Sequence, residues 1–266
     1  MSERMPVAFV SHGAPDALLK APDAVACWGE IGKLVPAPAA ILVVSAHWEA
    51  RQPTVSLSGS PETIHDFSGF SPELYRMQYR APGAPALAER VVSLLSAAGL
   101  AADFNPSRGL DHGAWVPLSA MYPQANVPVT QLSLVRDADP ATHFELGRAL
   151  APLREEGVLI VGSGAITHNF AWLDWRAKAD KAPFPQAEVF SNWVADRLAA
   201  QDISALLTYR SAPYGAESHT TEEHFLPLFV ALGAANRSAA NSNTPHRYRP
   251  RFSYGALSMD AYVWRD

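Results

Sequence analysis

The chain carries nine histidines and one cysteine, and that imbalance sets the chemistry open to it. With Cys27 alone, intramolecular disulfides and cysteine-based zinc sites are excluded. A metal would have to be held by His, Asp or Glu, and neutral imidazole is the commonest such ligand. Three histidines share a pattern. PVAFVSHGAP runs the apolar stretch Val7 to Val10 into Ser11, His12 and Gly13. AAILVVSAHWE runs straight into Ser45, Ala46 and His47, and GVLIVGSGAITHNF runs Val158 to Val161 into a glycine-containing loop that reaches His168. One apolar strand ending in small residues and a histidine is a coincidence; three mark a set.

His12 and His47 follow their strands closely, and the small neighbours Gly13 and Ala46 let a metal approach the backbone, so both are expected ligands. His168 sits further along its loop and suits a ligand or a base equally. His224 lies in SHTTEEHFLPLFVALGA, where Thr220 and Glu223 have capping-box spacing ahead of a dense apolar face. That places it at a helix start facing the strand ends, with His219 and Glu223 as rivals for the same role. His112, between Asp111 and Gly113, is expected in a loop, with a catalytic role beside the metal ligands rather than on the metal. His65, in TIHDF, either lines the substrate pocket or hydrogen-bonds to Asp66. His143, inside a helical stretch, and His246, in the tail, read as structural.

These residues need a frame to gather them. Apolar strand candidates recur at Val7 to Val10, Ile41 to Ser45, Thr54 to Leu57, Val129 to Leu134, Val158 to Val161 and Phe252 to Met259, mostly as continuous runs, which suits strands covered on both faces. Helical candidates lie between them at Ala84 to Ala98, Pro140 to Glu155, Gln186 to Ala200 and Glu222 to Ala235. Asp139 and Pro140 make a good helix start, and Gly157 a stop. Alternation of strands and helices predicts an α/β fold, a single domain over 1–266 with a mostly parallel central sheet and helices on both faces. In such sheets ligands sit beyond the carboxyl ends of the strands, which is where His12, His47 and His168 fall. The irregular stretch Arg51 to Pro82 reads as an active-site loop, and Asn236 to Tyr248 as a surface loop.

Composition narrows the partners. A formal charge of -5 argues against binding a nucleic-acid backbone, and the short basic run HRYRPR, His246 to Arg251, reads as a solvated loop. No apolar run approaches the ~18 residues that cross a bilayer, and the N-terminus lacks the features of a secretory signal. A cytoplasmic protein without membrane partners is expected; the sequence leaves room for a homo-oligomer.

The motifs SHGAP, SAHWE, TIHDFSGF, DHGAWVPL, GSGAITHNF and EEHFLPLFVALGA, in that order, resemble the extradiol aromatic-ring-opening dioxygenases of the LigB class, and most closely their DOPA 4,5-dioxygenase branch. The resemblance spans nearly the whole chain. It implies a non-haem divalent metal on His12, His47 and His224, with His168 as a further ligand or the neighbouring base and His112 beside them. More distant members complete the site with a glutamate, which keeps Glu223 in contention. The implied reaction inserts O2 into a catechol outside its diol to give a muconic semialdehyde, with Fe(II) for activity and Zn(II) as an ion the same nitrogens would accept. Two other readings use the same residues. One is a zinc hydrolase with Glu49 or Glu223 as its base; the other is a non-catalytic metal-binding module, as in the similar fold of Memo-type proteins.

Overall fold

The computed structural model describes residues 4–35, 37–177, 181–236 and 244–265. Among them eight strands form one sheet: β1 Val7–Ser11, β2 Ala40–Ala50, β3 Thr54–Ser56, β4 Asp103–Asn105, β5 Val129–Val135, β6 Val158–Gly164, β7 His246–Tyr248 and β8 Ala261–Trp264. The order across the sheet is β4-β3-β5-β2-β6-β1-β8-β7. Pairing is parallel from β5 through β2 and β6 to β1, and antiparallel where β8 joins β1, β7 joins β8 and β3 joins β5. The consequence is functional. β2, β6 and β1 are adjacent and parallel, so the chain leaves all three at the same edge of the sheet.

The helices are α1 Ala17–Lys20, α2 Pro22–Leu34, α3 Pro85–Ala97, α4 His112–Met121, α5 Pro140–Leu150, α6 Pro185–Ala199, α7 Ile203–Leu207, α8 Gly215–Ser218 and α9 Leu226–Ala235. They cover both faces. Val7 and Phe9 of β1, with Leu42 and Val44 of β2, pack into one apolar core with residues of α3, α5, α6 and α9. The alternate residues Ala8, Val10, Ile41 and Val43 pack into a second with α2 and α4. Period-two alternation thus serves two cores, which is why these strands read as unbroken apolar runs. A fully buried side chain such as Phe9 contributes about 1.5–3 kcal/mol. Among the described residues, no helix is long and apolar enough to cross a membrane.

Several expected boundaries move, each for a local reason. The α-helix from Pro140 stops at Leu150 and continues as a 3-10 turn over Ala151–Glu156, because Pro152 has no N–H to offer the carbonyl of Arg148. The helix expected from Glu222 starts at Leu226, with Pro227 in its first turn. No capping box forms there; Glu223 accepts a hydrogen bond from Thr221 instead. Phe252 to Met259 is not a strand: Tyr254 and Gly255 both have positive φ and fold the chain into a turn bridged by Ser253 and Leu257. The last strand is β8, further on.

The expected surface loop before it ends in β7, while residues 237–243 lie outside the described residues. Within HRYRPR, Arg247 is no solvated charge. It makes bonds of 2.7 and 2.9 Å to the buried Asp260 carboxylate.

Candidate metal centre

β1 ends at Ser11, and His12 follows with its N–H donated to the carbonyl of Gly164 at the end of β6. That link fixes His12 against the neighbouring strand. β2 does not stop at His47 but runs on to Ala50, and its register against β5 shifts between Val44 and Glu49. A bulge of this kind commonly re-aims a side chain beside a site, and here it falls on Ser45, Ala46 and His47. His224 precedes α9, and its carbonyl accepts from Ala165 N at 2.8 Å, tying it to the β6 exit. Gly164 permits that approach: a Cβ there would lie 2.1 Å from the His224 carbonyl oxygen.

The imidazoles gather closely. Ring centroids are 4.9 Å apart for His12 and His47, 5.5 Å for His12 and His224, and 4.9 Å for His47 and His224. His112 lies 3.9 Å from His47. His168 stacks on His224 at 3.5 Å. The ligating atoms of His12, His47 and His112 lie within 4.8 Å of one another, as do those of His168, Glu223 and His224.

Tautomers follow from the partners. Ser163 donates its hydroxyl proton to the carbonyl of Gly113, so its oxygen accepts from His12 Nδ1 at 3.0 Å. His224 Nδ1 faces the Glu223 carboxylate at 2.9 Å, and a carboxylate only accepts. Asp66 Oδ2 lies 3.6 Å from His47 Nδ1, close enough to orient the ring by charge. Each ring therefore holds its proton on the outer nitrogen and its lone pair on Nε2. The Nε2 atoms of His12 and His47 face each other at 3.0 Å, an approach of two acceptors that a cation relieves.

Burial supplies the same answer from electrostatics. Desolvation, and then the neighbouring imidazoles, push His12 and His224 well below the usual histidine range. Burial likewise lowers His47 and His168 to about 4. The rings are neutral near pH 7, as metal ligation requires. An all-nitrogen donor set with oxygen partners behind it fits a divalent transition metal.

Asp66 is the residue that sequence reasoning undervalued. Its Oδ1 accepts from His112 N at 3.0 Å and lies 3.0 Å from His112 Nδ1, near the ring but off a good hydrogen-bond axis. Burial opposes its charge, yet the contacts with His112 and the nearby His47 hold the carboxyl down at about 2. The only signal was its place beside His65 in TIHDF. His112 itself is not in a loop: it opens α4, capped by Asp111, whose Oδ1 accepts from Ala114 N at 3.2 Å.

Asp111 also takes hydrogen bonds from Ser45, Gln131 and Arg108, and Arg108 in turn donates to the His47 carbonyl. One buried carboxylate thereby joins the end of β2 to the start of α4. Gly113 allows the contact, since a Cβ there would sit 2.3 Å from Ser45 Oγ and 3.1 Å from His47 Cδ2.

Three residues fall elsewhere. His65 does not reach the cavity wall; it contacts the carbonyl of Met77 at 3.0 Å and packs among Phe67, Tyr75 and Trp115. His219 is fully buried among Phe190, Tyr209 and Phe225, with Nε2 donating to the Ile166 carbonyl. Glu49 is not on the cavity wall.

The cavity over the histidines measures about 750 Å³ and opens to solvent. His47, His112, His168 and His224 line one part, and Phe67, Phe70, Phe170 and Leu173 supply apolar walls. The loop expected over Arg51 to Pro82 contributes Asp66 to Ser71.

Comparison with known proteins agrees with this arrangement. Residues 25–257 match the family described as the catalytic LigB subunit of aromatic ring-opening dioxygenase. The chain is 42% identical over 236 residues to a 4,5-DOPA dioxygenase extradiol of Escherichia coli, covering 88% of this chain and 86% of that one. It is 39% identical over 259 residues to the protein of the same name from Mirabilis jalapa, covering 96% and 94%. A crystal structure of an uncharacterized Escherichia coli K12 protein superposes with a TM-score of 0.78 at 36% identity, covering 98% of this chain and 99% of that one.

Proposed function

Because the chain belongs to the LigB family of aromatic ring-opening dioxygenases and is a metal-dependent extradiol enzyme acting on catechols, we propose that it cleaves a DOPA-like catechol, with Fe(II) on His12, His47 and His224 and His168 as the base. The whole chain acts as one catalytic unit. The observation that carries the reading is the set of inward Nε2 lone pairs, each backed by an oxygen on the far side of its ring. The substrate class rests on relatives named for DOPA.

When bound, Fe(II) would supply redox chemistry and open positions for the catechol oxygens and O2; Zn(II), which fits the same nitrogens, has no redox chemistry. His168 faces the cavity with a ring held neutral by burial, ready to take a proton from a catechol hydroxyl. His112 lines the cavity with its backbone N–H held by Asp66, and would donate a hydrogen bond to oxygen at the reacting carbon. Phe67, Phe70, Phe170 and Leu173 enclose the ring and displace water from it. His65 acts only through Phe67, against which it packs.

A hydrolytic role would need a carboxylate beside the histidines free to act as base. Glu223 turns its Oε1 to both His224 Nδ1 and Thr221, which assigns it to orienting a metal ligand, and Glu49 lies off the wall.

The test is isotopic. The iron-loaded protein, given a catechol under labelled O2, is expected to yield a ring-opened semialdehyde carrying both oxygen atoms from O2. A product with an intact ring, or with oxygen drawn from water during cleavage, would overturn the proposal.

A further inference from the structure

A buried histidine, His219, lies outside the metal cluster. It is 0% exposed, and its ring sits among Phe190, Tyr209 and Phe225 at centroid distances of 5.9, 5.8 and 4.7 Å. An aromatic ring without nitrogens would fill such a pocket. The imidazole instead leaves Nδ1 with no hydrogen-bond partner among the described residues, and a buried polar atom left unpaired opposes folding. Its other nitrogen must supply the reason. Nε2 lies 2.9 Å from the carbonyl oxygen of Ile166, which only accepts, so the proton sits on Nε2 and His219 is the donor.

Ile166 belongs to the stretch 165–169 that leaves β6 and carries His168. That stretch is fastened along its length to the segment 217–224, which carries His219, Glu223 and His224. Ala165 N donates to the His224 carbonyl at 2.8 Å, His168 N to the Ser218 carbonyl at 2.9 Å, and Asn169 Nδ2 to the Glu217 carbonyl at 2.6 Å. His168 and His219 pair as a parallel bridge. On the other side, Thr167 Oγ1 donates to the Ala256 carbonyl and accepts from Ser258 N. The carbonyl of the fully buried Ile166 takes its hydrogen bond from the His219 side chain, two residues before the ring that stacks on His224 at 3.5 Å. Without that donor the carbonyl would be buried unpaired. The peptide relieves this by turning, which moves His168 relative to the ring it stacks on.

We infer that His219 is a positioning residue: its Nε2–H latches the loop of His168 to the segment of His224 and so fixes the base at its working distance from the metal ligand. This rests on His168 being the base, as proposed above. His219 is not on the cavity wall, so it acts through His168.

The experiment is a double-mutant cycle. His219→Phe keeps an aromatic ring and removes the donor; His219→Gln keeps an amide donor. In the iron-loaded enzyme acting on L-DOPA, His219→Phe is expected to lower kcat by roughly 10- to 100-fold, the scale of a misplaced reacting group. KM and metal content should stay near those of the unsubstituted protein, and His219→Gln should recover much of the loss. In a His168→Ala background, His219→Phe should cost nothing further. A merely structural role would lower kcat by the same factor in both backgrounds; that result, or an unchanged kcat in His219→Phe, would overturn the inference.

A second readout needs no turnover. In metal-free protein the His168 amide, which donates to Ser218, should exchange its hydrogen at least ~10-fold faster in His219→Phe, with amides of β2 and β5 unchanged. Unaltered protection of that amide would overturn the inference whatever the kinetics. If the unsubstituted enzyme opens no catechol, the functional reading fails, and the exchange measurement alone decides the latch. Should His219→Phe fail to fold, His219→Leu, which is smaller and also lacks the donor, takes its place.

Discussion

The rings of His168 and His224 stack at 3.5 Å with their planes 8° apart. Imidazole lone pairs lie in the ring plane, so two nearly parallel rings cannot aim at one ion. An ion midway would sit about half of that 3.5 Å out of each plane while ~2.1 Å from each nitrogen. His224 has its Nδ1 bound to Glu223, which turns its other nitrogen inward. That geometry supports His168, which lines the cavity, as the base proposed above and not as a further ligand.

His168→Ala is accordingly expected to keep its metal and lose turnover by about 10²–10⁴-fold, the usual contribution of a general base. Metal content by elemental analysis, beside kcat, checks this. Loss of metal in proportion to activity would make His168 a ligand.

His12→Ala should behave in the opposite way, losing metal and activity together. Its Nε2 faces that of His47 at 3.0 Å, and one imidazole fewer leaves the ion short of a donor. Metal retained at full stoichiometry would remove His12 from the ligand set.

Asp66→Asn tests the loop carboxylate. Asp66 reaches both His47 and His112, and groups that orient metal ligands typically contribute 10–100-fold in affinity or activity. A fall of that size in apparent iron affinity or kcat is expected, with the fold intact by circular dichroism. Unchanged kinetics would make Asp66 a loop tether only.

How far the sequence discloses this site depends on how locally each part is encoded. β1, β2 and β6 are legible because strands buried on both faces are apolar throughout, and the histidines at their exits inherit that clarity. α4 is hidden because nearly all of it is buried, so it shows no amphipathic period, and Gly113 and Pro117 resemble loop residues. Asp66 and His65 are adjacent in sequence, yet only Asp66 faces the cavity; the path of a long loop, which decides between them, depends on packing against Trp115 and Met77. The pairing of Asp16 with Tyr254 spans most of the chain and has no local signature.

Acid should destabilise the metal-free protein through its buried histidines. Burial lowers His143, and lowers His219 to about 3 against an ordinary value of 6.5. Below about pH 6.5 the unfolded chain binds a proton that folded His219 refuses. Its contribution is full above that pH and is lost as pH falls toward 3, at up to ~1.4 kcal/mol per unit. His219→Gln should therefore flatten the dependence of unfolding free energy on pH between about pH 6 and 4 by close to one proton. An unchanged slope in urea titrations would contradict this.

Gly113→Ala should loosen the junction of β2 and α4. The new methyl would meet Ser45 Oγ at 2.3 Å, and overpacking of this kind costs about 1–3 kcal/mol. A lowered Tm with weakened iron binding is expected; wild-type values for both would show that the junction adjusts freely.

The most direct test of the central claim is O2 consumption. Protein stripped of metal is loaded without oxygen with either Fe(II) or Zn(II), mixed with L-DOPA, and exposed to air in an oxygen-electrode cell. The account predicts stoichiometric O2 uptake with a yellow product from the iron form and none from the zinc form. Equal uptake in both forms, or none from an iron form whose metal content is verified, would contradict it.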